Sequence, residues 1–292
     1  MTFHSRASSP KNSGKTFFLY PPPYPEIMWR AIIALLLFFL NQVLALAILL
    51  VYECQTSDNG SPGLGNIQSI LHHLNPVHYG TVLLFTTLFL IGMLLLTRLT
   101  GKGVLKAFMQ GMPKGWLWGI GAFCAISLGV SGILSPFDLE NAGVNAMFSG
   151  MQHSIPCAFL IIVAGPMAEE LVFRDSIIRV LLPSGRWIAI IVSAFAFAVI
   201  HGNLMQGIPA FIMGIALALL YLHTGDLRLC LPAHILNNAL GYLEICYPEA
   251  PDCTSHWPSS VLSVTGALLL AGGLWMLCKL QRNSTYLQQD TP

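Results

Sequence analysis

Inside otherwise apolar sequence, this chain places a small set of side chains that can move protons or hold charge. Glu169 and Glu170 follow a charge-free run over 154–168. Arg174 stands four residues after Glu170, and His201 closes the run Phe197-Ala-Val-Ile-His201. His234 and Asn238 stand four apart in His234-Ile-Leu-Asn237-Asn238, and Glu244 follows near a helix end. Ionisable groups within apolar segments are expensive to bury, so each is a functional candidate by default. Each also has an ordinary structural reading. Glu169 and Glu170 can be half of an interhelical ion pair, His201 can sit at a helix end in interfacial water, and His234 with Asn238 can be hydrogen-bonding glue between helices.

Taken together they suit hydrolysis. Glu170 and Arg174 form an i,i+4 pair, in which Arg174 neutralises Glu170. Glu169 lies one residue round the helix, about 100° away, and is the freer carboxylate. An apolar setting makes such a group a better base. Glu169 would take a proton from water, and His201 would orient that water or share the base role. His234 and Asn238, on one helical face, would donate hydrogen bonds to a developing oxyanion. The sequence contains no GxSxG nucleophile motif, and no Cys has a convincing partner. Two His and a Glu could hold zinc, but the HExxH pattern is absent. The expectation is a site without metal or other cofactor.

The elements that carry these residues are membrane helices. Of 292 residues, 54% are hydrophobic and 9% charged, against roughly 25% charged in a soluble domain; the mean hydropathy is +0.66. A net charge of +1 suggests no nucleic-acid partner. A span needs about 20 apolar residues, and eight candidates are legible: 28–52, 79–97, 115–134, 155–173, 187–201, 204–222, 229–246 and 259–278. The fourth is expected to run on to Leu182, where Pro183-Ser184-Gly185 breaks it. Pro183–Gly185 would then join spans four and five as a hairpin. Glu169 and His201 both fall about 20 Å from that turn at ~1.5 Å per residue, and so at matching depth.

All 14 Lys and Arg sort to one side if both ends are cytoplasmic, as the positive-inside rule requires. The outer loops 53–78, 135–154 and 247–258 contain none. The domain reading is a disordered tail over 1–27, where Pro21–Pro23 and Pro25 argue against regular helix, a transmembrane domain over 28–280 with its core at 155–246, and a short tail over 281–292. Leu105, Phe108, Met109 and Met112 suggest an amphipathic surface helix between 101 and 115. Of the 7 cysteines, Cys246 and Cys253 make the simplest outer disulfide, with free thiols the alternative. His223 and Asp226 are expected in a solvated inner loop. His72, His73, His78, His153 and His256 are expected outside, without a catalytic role.

The pattern Glu169-Glu170-x-x-x-Arg174, then Phe197-x-x-x-His201, then His234-x-x-x-Asn238 resembles the three-motif signature of the CPBP family. That family groups type II CAAX prenyl endopeptidases with bacteriocin-processing and self-immunity proteins, and is also called the ABI family. The resemblance covers 155–246. It implies an all-α polytopic bundle of about eight transmembrane helices with a conical polar cavity, and a glutamate-type intramembrane endopeptidase. It implies that Glu169 activates water with His201 assisting, that His234 and Asn238 form the oxyanion site, and that Glu170, Arg174 and Phe197 support them. The substrate would be a membrane-associated protein or peptide, lipid-modified or anchored near its C-terminus. A bacterial inner membrane suits the short chain, with a eukaryotic endomembrane left open. Two other readings stay open: a proton-coupled carrier, and a non-catalytic immunity or scaffold protein.

Overall fold

The computed structural model describes residues 24–56, 75–97, 99, 109–137, 147–247 and 257–282. Eight helical segments stand where the apolar runs predict them: α1 Tyr24–Thr56, α2 Pro76–Leu96, α3 Trp116–Leu134, α4 Ile155–Ser184, α5 Arg186–Val199, α6 Leu204–Thr224, α7 Cys230–Cys246 and α8 Ser259–Arg282. Among the described residues six of these are long and apolar enough to cross a bilayer, and the chain is a multi-pass all-α membrane protein. The other two differ from expectation in length. With 14 residues in α5 and 17 in α7, they reach about 21 and 26 Å at ~1.5 Å per residue, short of a core about 30 Å thick. Both carry site residues.

Two boundaries correct the sequence reading. The first helix begins at Tyr24, inside the expected tail, because Pro25 falls in the first turn, where a missing N–H costs no helical bond. Residues 1–23 and 283–292 lie outside the described residues, as do 100–108, which hold most of the expected surface helix. Met109–Gly115 is turn and coil. Cys246 is a buried free thiol, so the proposed disulfide is not formed in this structure; Cys253 is outside the described residues. His223 belongs to the last turn of α6. Asp226 is not simply solvated but pairs with Arg228 at 2.8 Å.

Packing places α4 and α6 innermost and leaves α8 the most exposed of the long helices. The α3–α8 crossing is set by glycine. A Cβ on Gly129 would lie 2.6 Å from the Leu270 nitrogen, and one on Gly266 would lie 2.7 Å from the Gly129 carbonyl. The backbones are therefore in contact, as small-residue interfaces in lipid allow. α1 and α2 are tied by a buried bond from Asn41 Nδ2 to Thr87 Oγ1, 3.1 Å.

The central helix α4 is not a regular α-helix. Residues Leu160–Ala164 and Glu170–Ile178 are π-helical, a form that recurs at functional sites. Pro166 accounts for part of this. Gly165 N–H bonds the Leu160 carbonyl, the i→i+5 register. In that register the donor for the Ile161 carbonyl would be residue 166, which is proline and has no N–H. The second stretch is braced by hydroxyls: Ser193 Oγ donates to the Phe173 carbonyl at 2.8 Å and Ser176 Oγ to the Leu171 carbonyl at 3.0 Å.

Candidate active site

The second π-helical stretch turns Glu170, Arg174 and Phe173 into the centre of the bundle. Glu170 and Arg174 are fully buried and face each other at 3.4 Å. The guanidinium carbon lies 4.3 Å from the centroid of the Phe197 ring on α5. That face-on contact supplies the cation–π attraction available to a desolvated Arg. The Phe197 ring also meets the rings of Phe173 at 5.5 Å, His201 at 5.1 Å and His234 at 5.7 Å. Phe197 is thus the apolar hub on which the charged groups are arranged.

His234, near the start of α7, joins the two glutamates. Its Nδ1 is 2.9 Å from Glu170 Oε1, and its Nε2 is 3.6 Å from Glu169 Oε2. An ionised carboxylate only accepts, so Nδ1 carries the proton in the bond to Glu170. Nε2 is left to act toward Glu169 and whatever occupies the space beside it. Glu169 is 19% exposed at its side chain, whereas Glu170 is at 0%. The neighbouring carboxylates therefore divide as the i,i+4 spacing predicts, one locked in an ion pair and one reachable.

His201 lies in the turn between α5 and α6, just past the end of α5. Because α5 is short, this turn lies about 21 Å along the helix from Arg186, less than the ~30 Å thickness of a hydrocarbon core. Non-helical backbone inside such a core needs internal partners, and the turn has them. Asn203 Nδ2 donates to the His201 carbonyl at 2.8 Å, and Asn203 Oδ1 accepts from Gln206 N–H at 2.9 Å. Gly202, at φ 68, makes the turn. His201 Nδ1 is 2.8 Å from the Phe197 carbonyl. The hairpin thus sets His201 against Phe197, and its contact with the glutamate cluster runs through that ring.

Asn238 lies one turn beyond His234. Its Nδ2 donates to the Ile161 carbonyl at 3.0 Å, the group that Pro166 leaves without a backbone donor. This contact was not legible in the sequence, although a mid-span proline was its signal. Also unforeseen is Ser127 on α3, whose Oγ donates to Asn237 Oδ1 at 2.6 Å; a hydroxyl midway along an apolar span was the cue. Glu244 is near the C-terminal end of α7, apart from this cluster. Among the described residues, no group of three His, Cys, Asp or Glu side chains is arranged to hold a metal ion.

Residues 151–240 match the family model described as Type II CAAX prenyl endopeptidase Rce1-like. The match spans the region from the turn before α4 into α7 and contains every residue of the cluster. No curated protein and no solved structure matches the chain.

Proposed function

We propose, from the match of residues 151–240 to the Type II CAAX prenyl endopeptidase Rce1-like family model, that this chain is an intramembrane endopeptidase of the glutamate type. The observation that carries the reading is the division of the glutamates. Glu170 is enclosed by Arg174 and His234 Nδ1, while Glu169 stands partly exposed beside His234 Nε2. A water next to Glu169 gives up a proton to its carboxylate, with His201 orienting the water. The hydroxide attacks the scissile carbonyl carbon, and the carbonyl oxygen takes the charge. His234 Nε2–H and the second N–H of the Asn238 amide donate to that oxyanion. Glu169 then returns the proton to the amide nitrogen, and the C–N bond breaks to give a carboxylic acid and an amine. Every step uses a group on this chain, so no metal or other cofactor is required.

The substrate class follows the family: a membrane-associated protein whose C-terminal segment carries a prenylated cysteine, so that the lipid holds the cleaved bond at the depth of Glu169. The sorting of basic residues supports a topology with both ends cytoplasmic, in a bacterial inner membrane. Reporters fused to each end are expected to read out the cytoplasmic side.

The test is terminal proteomics on native membranes, comparing wild type with Glu169→Ala at equal expression. It is joined by cleavage of a farnesylated CAAX peptide by the purified full chain. New termini confined to wild type support the reading and identify the bond. Identical termini in both membranes, with no peptide cleavage, would refute it in favour of a scaffold or carrier.

A further inference from the structure

A line of polar side chains leads into the site from a helix outside the family-matched region. Ser127 lies midway along α3 and is half-buried, as are Asn237 and Asn238 on α7. Ser127 Oγ donates to Asn237 Oδ1 at 2.6 Å. Asn237 Nδ2 points back to Asn238 Oδ1 at 3.5 Å. Asn238 Nδ2 donates to the Ile161 carbonyl at 3.0 Å. The donors all run one way, from hydroxyl to amide to amide to carbonyl.

The direction has a chemical consequence. A hydrogen bond accepted at an amide oxygen draws electron density from its nitrogen and makes the N–H groups stronger donors, and such chains reinforce one another at low dielectric. Ser127 polarises Asn237, and Asn237 in turn polarises Asn238. Asn238 has two N–H groups, and the Ile161 carbonyl takes one. That anchor, made available by Pro166, fixes the plane of the amide and so the direction of the second N–H.

We propose that Ser127 and Asn237 are positioning residues for the hydrolytic reaction, aligning and strengthening the Asn238 donor that meets the oxyanion. This rests on the oxyanion role proposed above for Asn238. It assigns α3 a part in the chemistry, coupled to the site by side chains rather than by packing alone.

The test is a double-mutant cycle on the purified full chain in bilayer nanodiscs, with a farnesylated CAAX peptide as probe and the termini lost in Glu169→Ala membranes as a second readout. Asn238→Ala is expected to lower kcat by about 10²–10³-fold, the usual effect of losing an oxyanion donor. Ser127→Ala and Asn237→Ala are each expected to lower kcat about tenfold, the equivalent of one hydrogen bond, with KM unchanged. Ser127→Thr, which keeps the hydroxyl, should restore wild-type kcat. In the Asn238→Ala background, Ser127→Ala should cost nothing further, because coupled residues are not additive. Having both Ser127→Ala and Asn237→Ala keeps the test open if one variant fails to fold. Full additivity, a loss confined to KM, or no loss in either variant while Asn238→Ala is impaired would overturn this inference alone. Wild-type kcat in Asn238→Ala would overturn it together with the oxyanion assignment.

Discussion

Arg174→Met isolates what the buried charge pair contributes. Arg174 and Glu170 have 0% side-chain exposure and stand 3.4 Å apart. The substitution removes the cation, keeps much of the side-chain volume against Phe197, and leaves Glu170 with His234 as its neighbour. Removing one partner of a buried pair costs about 3–5 kcal/mol, because the remaining charge is uncompensated. That corresponds to a shift of the folding equilibrium of roughly a hundred- to several-thousand-fold. Lost cation–π contact with Phe197 contributes within that range, at about 0.5–2 kcal/mol. The double variant Glu170→Gln/Arg174→Met removes both charges and keeps a side chain able to bond His234, so it should recover at least ~2 kcal/mol of the loss. Reversible unfolding in mixed micelles, followed by helix content and tryptophan fluorescence, measures both. A double variant as unstable as Arg174→Met would refute the electrostatic argument. Packing on Phe197 and Phe173 would then be what Arg174 supplies.

Glu169→Gln should abolish cleavage while leaving the unfolding transition near wild type, since Glu169 is outside the enclosed pair; a peptide-cleavage assay beside a melt separates the two effects. Zinc chelators at millimolar concentration should leave peptide cleavage unchanged, and inhibition that added metal reverses would redirect the mechanism to a metal. Gly266→Ala should cost about 1–3 kcal/mol, the usual price of overpacking, because the new Cβ would meet the Gly129 carbonyl at 2.7 Å; unfolding in micelles reads this directly. Asn203→Ala should reduce cleavage more than stability, since it loosens the turn that carries His201 while the helices on either side stay packed; parallel activity and melting curves would show it.

The sequence by itself determined the solvent and the eight helical segments, and it marked the motif residues that the fold brings together. Apolar runs of span length cannot be satisfied in water, and buried Glu, Arg and His are too costly to be accidental. It also separated the two glutamates, because the i,i+4 relation to Arg174 is a local property of the helix. Local periodicity could not reach the rest. The π-helical form of α4 is braced by a hydroxyl from α5, Ser193, and by an amide from α7, Asn238, which meets the carbonyl that Pro166 cannot serve. The first helix starts earlier than its prolines suggest, since a proline in the first turn has no bond to lose. The short span of α5 places His201 in the turn just past its end, where Phe197 mediates its contact with the cluster. His234 bridges both glutamates, and Ser127 reaches Asn237, across distances of 64, 65 and 110 residues in sequence. Such contacts are set by which helices pack together, and that is decided by glycine-lined crossings and shared polar bonds that no single segment contains.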